Sequence, residues 1–457
     1  MKPALPLLLA AACTAGLAAC TVGPDYQTPS IGMTSRFAEG DGASLGDVAM
    51  DRWWQGFGDR TLDALADRGL AQNLDIATAV ERINQARAAL RTTGAADLVS
   101  GNISADTTRA KSQSGAIGTS SSGSANAQLV LDVFGGEARA RQQAEAELEA
   151  SELDVGTARL AFLSSLVGDY VDARYYQEAT AITRSLIDAR QQTFELVERQ
   201  RTAGLSTDLD VLQARALLEQ TRATLPGFEQ GFHSAVYAIA TLLAEPAQPL
   251  LDALQRGASQ PRPPRSGEAG VPADLLRNRP DVRSAERDYA AAVAAVGVAE
   301  ANLYPSLDLS GVVNVANPSS WSFGPSLVLP VLNQPLLRAN RDQAVSAAKQ
   351  AELEWRSTVL SAVENVQAAQ GATRRSRREV AAQQAATSTY RQARDLSRET
   401  YEAGTTTFLD LLDAERSAGT TALALALSIR GLANDWTALQ VATGRGWATG
   451  PTTTVPD

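Results

Sequence analysis

The chain carries one helix–turn–helix signature twice, and this repetition limits the folds that it can adopt. Residues 401–416 read YEAGTTTFLDLLDAER, and residues 201–215 read RTAGLSTDLDVLQAR. In each copy Ala-Gly interrupts a helical pattern, hydroxyl residues follow, and an apolar helix then carries an aspartate at the matching position. A helical hairpin repeated at this distance indicates an internally duplicated helical protein.

Each signature predicts a tight turn between two helices. Gly204 and Gly404 can supply the positive φ with which many helices end. Ser206 in the first copy and residues 405–407 in the second can cap the exposed amides of the next helix. The two turns therefore occupy equivalent places in the two halves.

The composition is that of a helix-rich protein, because 20% of the 457 residues are charged and only 5% are aromatic. The formal net charge of -10 argues against a nucleic-acid partner. One local run is basic, but on a helix such a run is interpreted as a solvated or acid-paired face. Its members are Arg374, Arg375, Arg377 and Arg378.

The amino terminus has the organisation of an export signal. Lys2 provides the charged start, residues 5–17 form an apolar core, and Leu-Ala-Ala-Cys ends at Cys20. The last four residues resemble the bacterial lipobox, so residues 1–19 are predicted to be a lipoprotein signal peptide and Cys20 an acylated residue. By the same resemblance, Thr21 directs the lipoprotein to the outer membrane. The alternative is an ordinary secreted protein with a free thiol at Cys20.

The first half of the mature chain is predicted to contain one repeat. Residues 20–58 form an extended acylated segment rich in turn residues, and residues 59–254 form the repeat. Its strand pair covers residues 98–133, with a Ser/Gly-rich loop at 112–124. The following helix, from Glu137 to about residue 203, contains no proline and would reach about 100 Å. Its 3-4 apolar spacing is typical of coiled-coil packing. Pro226 is predicted to interrupt the hairpin helix after the turn.

The second half repeats this order after a linker. Residues 255–272 are too rich in Pro and Gly to be helical and form the linker between the repeats. The second repeat covers residues 273–444, with a helix at 280–302, a strand pair at 305–332 and a long helix to residue 403. Its second strand is predicted over residues 321–332. Residues 445–457 form a tail.

The predicted strands carry a physical requirement. Four antiparallel strands in one chain leave two open edges, and amides at such edges find no partner in lipid. Membrane strands need only about 9 to 11 residues, which these segments supply. Association of several chains is therefore the consistent arrangement.

Several motifs together resemble the outer membrane factors of bacterial tripartite efflux pumps, in the lipoprotein branch related to OprM and NodT within the TolC-like superfamily. They are CTVGPDYQTP at Cys20, WWQGFGDRTLDALADRGLAQNLDIATAVERINQAR at Trp53, LDVFGG at Leu131, NRPDVRSAERDYAAA at Asn278, ANLYPSLDLSG at Ala301 and AGTTTFLDLLDAERS at Ala403.

The resemblance implies an α+β membrane protein that works as a homotrimer. Its twelve-stranded β-barrel, with four strands per chain, would continue into a long periplasmic α-helical barrel, with the linker at the equator. A periplasmic adaptor, an inner-membrane RND transporter and outer membrane lipid are the implied partners. The implied function is passive exit of drugs or other small toxic compounds. Two alternatives stay open: a duct for type I protein secretion, and a structural periplasmic lipoprotein without a pore.

The hairpin helices carry the implied gate. The resemblance assigns Leu409, Asp413 and Arg416 to the periplasmic constriction that keeps the tunnel closed. Asp413 and Arg416 lie three residues apart on one helical face, and the alternative is a surface ion pair worth a few tenths of a kcal/mol. Asp410 and Asp210 are interpreted either as further acidic rings or as caps of the tips.

The turns are the implied contacts of the adaptor. They comprise Gly204, Leu205, Ser206, Gly404, Thr405 and Thr406. The alternative is that these residues only terminate helices.

Two features depart from the family pattern. Asn333-Gln-Pro replaces the Gly-Gly that many relatives carry after the fourth strand, so the strand-to-helix bend there is expected to be built differently. Aromatic belt residues are sparse, with Tyr304, Trp321 and Phe323 serving the second strand pair.

No catalytic constellation is expected. His233, the only histidine, is interpreted as structural, and the sequence suggests no metal-ligand cluster. The Gly444-Arg-Gly segment is too isolated to predict a nucleotide loop. Apart from the covalent lipid on Cys20, no cofactor is expected.

Overall fold

A computed structural model describes residues 21–40, 42–93, 99–264, 270–315 and 318–448. The predicted signal peptide, Cys20 and most of the predicted tail lie outside these residues. A short 3₁₀ helix at Trp53–Phe57 precedes the first α-helix. The α-helices are α1 (Arg60–Gln72), α2 (Leu74–Thr92), α3 (Gly136–Thr202), α4 (Asp208–Leu242), α5 (Ala247–Leu254), α6 (Pro272–Asn278), α7 (Pro280–Ala301), α8 (Gln334–Glu402) and α9 (Phe408–Ala442).

Four antiparallel strands form one sheet in the order β1-β2-β3-β4. They are β1 (Val99–Lys111), β2 (Ile117–Leu131), β3 (Ser306–Val315) and β4 (Ser320–Val328). The register joins Val99 to Leu129, Leu131 to Leu307, and Ser306 to Val328. Among the described residues, β1 pairs only with β2 and β4 only with β3, so each of these strands has an open edge.

The strand boundaries correct two predictions. The Ser/Gly-rich residues 117–124, expected in a loop, belong to β2, because β1 pairs with this whole stretch and β3 joins on the other side from Gly123 onward. The second predicted strand of the other pair ends at Val328 and not at residue 332. Pro330 cannot donate to a ladder, and the Val331 amide instead bonds the Leu329 carbonyl at 2.9 Å.

Pro226 does not interrupt the hairpin helix as expected, because α4 runs unbroken from Asp208 to Leu242. A proline's φ is compatible with a helix, and its main cost there is the lost amide bond and a clash with the preceding turn. Pro226 is exposed, and so is the turn before it, where water can satisfy the carbonyl that loses its partner.

The two strand-to-helix junctions differ, as expected from their sequences. Gly135, between β2 and α3, has a φ of 76°, which only glycine adopts readily. After β4 the chain turns through Pro330 and Asn333 into α8, where the Leu337 amide bonds the Asn333 carbonyl at 3.0 Å. No residue of this second junction has positive φ within the described ranges.

The chain divides into two compact units. Of the described residues, the first contains those within 21–32, 79–155 and 281–359, and the second contains those within 33–78, 156–280 and 360–448. In the first unit small side chains of α3, α7 and α8 pack around Tyr26, which contacts Tyr289 edge to face. The Tyr26 hydroxyl donates to Glu286 at 2.8 Å.

The second unit has a larger aromatic and leucine-rich core. Trp436 on α9 contacts both Trp53 and Phe57 edge to face. On α3, the Tyr170 hydroxyl donates to Asp59 at 2.5 Å, and Arg430 forms a two-point ion pair with Asp172. These contacts fix α3 and α9 side by side.

None of the helices within the described ranges combines the length and the apolar character that crossing a membrane requires.

Gly156 permits a close approach on α3. A Cβ there would lie 2.5 Å from Cε3 of Trp447, whose indole nitrogen donates to the Asn278 carbonyl. We expect Gly156→Ala to destabilise the protein by about 1–3 kcal/mol through overpacking, seen as a lower melting temperature by circular dichroism. Gly168→Ala on the same helix is the control, because no described atom lies within 4 Å of its Cβ. Equal effects of the two substitutions would contradict this packing.

Candidate functional site

The two predicted turns have the same backbone geometry. Gly204 and Gly404 have φ angles of 77° and 74°. The Leu205 amide bonds the Gln200 carbonyl at 2.8 Å, and the equivalent amide of Thr405 bonds its partner five residues back at 2.9 Å. The glycine amides bond carbonyls three residues back, at 2.9 and 3.0 Å. Both turns are therefore Schellman motifs, which satisfy the last carbonyls of α3 and α8.

Reciprocal capping boxes start the next helices. The Thr207 and Thr407 hydroxyls accept the amides of Asp210 and Asp410, and each aspartate accepts the threonine amide. The predicted cap of the first helix was Ser206, but Ser206 instead donates to the Asp210 carboxylate at 3.0 Å. Both aspartates therefore occupy cap positions within the chain.

The capping bonds also set the charge of these aspartates. Hydrogen bonds from Thr407 and Thr406 hold the pKa of Asp410 below its usual value. Burial pushes the pKa of Asp210 upward, but bonds from Thr207 and Ser206 outweigh it and lower the pKa. Both groups are thus carboxylates near neutral pH.

Beneath the turns, the two hairpins share an apolar core. Tyr401, Phe408 and Leu411 of the second hairpin are buried together with Val197 and Ala214 of the first. Within one chain, the two tips therefore pack as a single body.

The side chains that close each turn differ between the repeats. In the first hairpin Arg201 pairs with Asp208 at 2.6 Å, and these side chains are 53% and 77% exposed. At the equivalent positions 200 residues later stand Tyr401 and Phe408, which are 8% and 5% exposed and contact at 5.8 Å between ring centroids. An exposed ion pair closes one tip and a buried aromatic pair closes the other.

The predicted gate residues lie together on one exposed face of α9. Leu409 is 64% exposed. The Arg416 guanidinium donates to the Asp413 carboxylate at 2.7 Å, and both side chains are more than 60% exposed. A pair this exposed contributes little to the stability of one chain, so both groups are available to other chains or to solvent.

The predicted adaptor contacts are accessible to different degrees. Gly204, Leu205, Gly404 and Thr405 are exposed, and Leu205 presents an apolar side chain that is 79% exposed. Ser206 and Thr406 are half-buried because their hydroxyls bind the capping aspartates.

A buried polar group next to the predicted gate residues was not expected from the sequence. Glu415 is 4% exposed, and its Oε1 accepts the Thr193 hydroxyl of α3 at 2.5 Å. Burial raises the pKa of Glu415, although Thr193 and the charges of Arg190, Arg398 and Arg394 oppose this. Its Oε2 has no hydrogen-bond partner among the described residues. The group therefore joins α3 and α9 by a buried polar contact.

Comparison of the repeats would have revealed part of this asymmetry. Arg201 and Asp208 change together to Tyr401 and Phe408, which signals that the two positions touch. By contrast, the contact between Thr193 and Glu415 joins residues 222 positions apart, and no local sequence pattern predicts it.

His233 lies among aromatic side chains, with ring centroids 5.8 Å from Phe232 and 6.2 Å from Tyr237. Within the described part of the chain, no three His, Cys, Asp or Glu side chains are grouped so that they could hold a metal ion.

The two tip closures predict unequal sensitivity to truncation. Phe408→Ala should destabilise the tip by about 3–5 kcal/mol, because it removes a buried ring. Asp208→Ala, at the equivalent position, should cost less than about 1 kcal/mol, because the ion pair is exposed. The rate of limited proteolysis at the two turns measures both losses of stability. Similar rates in the two variants would contradict the assigned closures.

Glu415 and Asp410 should respond to acid in opposite directions. The pKa of Asp410 is lowered in the fold. The stability that its carboxylate contributes is therefore lost as pH falls below about 3.9, the ordinary aspartate value. The pKa of Glu415 is raised in the fold. The stability that its protonated form contributes is therefore complete below about pH 4.3 and is lost as pH rises through the pKa of the folded protein. Tip stability should therefore decline from about pH 4.3 toward neutrality in the native protein and stay flatter in Glu415→Gln.

Hydrogen exchange at the tip, corrected for the intrinsic pH dependence, measures this difference. Glu402→Gln is the control, because Glu402 is exposed and pairs with Arg398. An unchanged pH slope in Glu415→Gln would show that Glu415 does not control tip stability.

The sequence matches the family model described as "Outer membrane efflux protein" over residues 65–245 and 271–445. Nodulation protein T of Rhizobium leguminosarum bv. viciae is 38% identical, over 97% of this chain and 92% of that protein. The pyoverdine export outer membrane protein OpmQ of Pseudomonas aeruginosa is 33% identical, over 80% of this chain and 81% of its own length.

The fold matches solved outer-membrane channels. The structure of the outer-membrane channel OprN superposes with a TM-score of 0.83 at 30% identity, covering 94% of this chain and all of that one. The open state of the Neisseria gonorrhoeae MtrE channel gives a TM-score of 0.80 at 26% identity, over 94% of this chain and 99% of that one. The predicted family, location and exit role are thereby confirmed. The chain belongs to the outer membrane efflux protein family, whose members are exit ducts in the outer membrane that extend into the periplasm.

Proposed function

We propose that three copies of this chain form the exit duct of a tripartite efflux system. The observation that carries this proposal is the pair of open edges on β1 and β4, in a chain of an outer membrane family. In lipid each unpaired amide or carbonyl costs several kcal/mol, so a spanning sheet must close. Three copies would close it as a twelve-stranded barrel by pairing β4 of one chain with β1 of the next.

The long helices would continue this barrel into the periplasm. In each chain α3, α4, α8 and α9 would contribute to a helical tunnel of twelve helices. Exposed apolar side chains on these helices, including Leu212 and Leu396, support contacts between copies. The resulting assembly is a passive conduit, with no catalytic step and no energy source of its own.

An inner-membrane RND transporter and a periplasmic adaptor are the proposed partners. The exposed turns at Gly204 and Gly404 are the proposed adaptor contacts, and the protruding Leu205 supplies an apolar anchor. The cargo is a small toxic compound, such as a drug. The names of relatives mention pyoverdine, solvent, toluene and cation export, and this range of chemistry favours a duct that does not select its cargo.

The exposed face with Leu409, Asp413 and Arg416 is the proposed periplasmic gate. Around a threefold axis, three aspartates repel one another unless arginines lie between them. The Asp413–Arg416 pair would provide such a ring, and its exposure in one chain leaves both groups free to pair across the axis. Asp210 and Asp410 support the gate indirectly by capping the helices that carry it.

Cys20 is the proposed lipid anchor, with a diacylglycerol and an N-acyl chain. Several acyl chains at about 0.8 kcal/mol per buried CH₂ make such an anchor effectively permanent. Thr21, the first residue that the structure describes, follows it directly.

Conductance in planar bilayers tests both the pore and the gate. The native trimer should show small, mostly closed currents, whereas Asp413→Ala with Arg416→Ala should raise the conductance because the tips lose their ring of charge pairs. Glu219→Ala with Arg222→Ala is the matched control, because that pair also has i,i+3 spacing, at 2.9 Å on α4. Equal conductance of gate variant and control would remove the gate assignment.

The same recordings separate the alternative functions. A structural lipoprotein without a pore would give no conductance in any variant. A type I secretion duct would conduct, but deleting the gene would abolish export of a protein and leave drug tolerance unchanged.

A further inference from the structure

A small cavity lies in the first unit, where the sheet meets its helices. Its volume is about 240 Å³, and it is lined by apolar side chains such as Phe134, Tyr304 and Val328 together with polar ones such as Asp132 and Glu137. The Phe134 and Tyr304 rings stack with their centroids 4.7 Å apart. Sites for compact small molecules usually measure about 300–1,000 Å³, so this cavity is too small for most such ligands but has room for part of an acyl chain.

The polar lining of the cavity is partly engaged elsewhere. The Asp132 carboxylate accepts the Ala138 amide at 2.9 Å and so caps α3. By contrast, the described chain around the cavity carries four exposed apolar side chains. They are Leu131, Leu329, Val331 and Leu332, and Leu332 is 95% exposed. Exposed apolar side chains grouped in this way mark contact with lipid or a partner.

The amino-terminal strap, residues 21–26, begins beside this cavity. The Val22 amide bonds the Phe134 carbonyl at 3.1 Å. A Cβ on Gly135 would lie only 2.9 Å from the Cα of Thr21, so the strap and this turn are in close contact. Residue 20 is one peptide unit away from Thr21, about 3.8 Å between Cα atoms. A group carried on residue 20 therefore starts next to the cavity wall.

Arg139 fixes the strap in this place. Its side chain is 5% exposed and donates to the carbonyls of Val22 at 3.1 Å and Gly23 at 3.2 Å, and it pairs with Asp25 at 2.7 Å. Gly23 crosses Gly297 so closely that a Cβ would lie 2.5 Å from the Gly297 Cα. The strap thus cannot swing away without breaking these contacts with Arg139.

We propose that this cavity is an acyl-chain site, filled by a fatty acyl chain carried on Cys20. The inference rests on the proposed lipid anchor and extends it, because it assigns the chain a fixed place on the protein. The stacked Phe134 and Tyr304 rings and the exposed apolar side chains nearby favour an acyl chain, and the clasped strap favours one carried on Cys20 over a free lipid. The strap would then set the depth at which the anchor enters the membrane, with Arg139 as its positioning residue.

A photoactivatable fatty acid tests this placement in the full-length lipidated protein. Cells are grown with a diazirine-bearing fatty acid, the purified protein is irradiated, and cross-linked peptides are identified by mass spectrometry. Acyl chains on Cys20 should cross-link to the peptides that contain Phe134 and Tyr304. Trp321 and Phe323, exposed on β4, should instead react with bulk lipid.

Two variants make the test specific to the clasp. Arg139→Ala should lose most cross-links to the cavity, while the protein remains labelled on residue 20. Arg141→Ala should keep them, because Arg141 is exposed on the same helix and pairs only with Glu145, at 2.8 Å, in the described contacts.

Several results would overturn the proposal. Cross-links from free phospholipid, or from another copy in mixed heavy and light trimers, would assign the cavity to a different occupant. Absence of label from residue 20 would remove the site altogether. Conductance of a Cys20→Ala protein is recorded separately, so the proposed duct can stand when the acyl-chain site fails.

Discussion

Unpaired backbone groups at the edges of the sheet are the constraint on which the organisation of this protein depends. Within the described residues β1 and β4 each pair on one side only. A sheet with open edges is tolerable in water when its edges are protected, but it is excluded from lipid. We therefore propose that other copies complete the sheet in the outer membrane. The proposed barrel and the proposed association of chains both follow from this requirement.

The duplication uses one backbone design for two purposes. Both hairpins share the Schellman turn and the capping box, and α4 and α9 begin at Asp208 and Phe408, 200 positions apart. Only the side chains differ. The exposed Arg201–Asp208 pair leaves the first tip loosely closed, whereas the buried Tyr401–Phe408 pair fixes the second to the core. In the proposed gate, this difference lets the two hairpins of one chain have different stabilities.

The sequence predicted features whose causes are local. Gly204 and Gly404 predict the turns because few other residues adopt positive φ. The length of α3 is predicted by the absence of proline from its sequence. The predicted start of β2 was wrong because its Ser/Gly-rich residues are held in a strand by pairing with β1 and not by their own propensity. Pro226 was misinterpreted because an exposed helix position tolerates its missing amide. The environment of Glu415 depends on helices distant in sequence, so only the folded chain reveals it.

Covalent trapping between β1 and β4 measures the closure of the sheet most directly. The native mature chain is predicted to hold one cysteine, Cys20, so cysteines introduced at Thr108 on β1 and scanned over Ser320, Ser322 and Ser326 on β4 can be assigned. The account predicts that some pairs form disulfides between copies and yield a covalent species no larger than a trimer, because the ring closes. A ladder of larger species, or no cross-link between copies at any position, would contradict a closed ring of three chains.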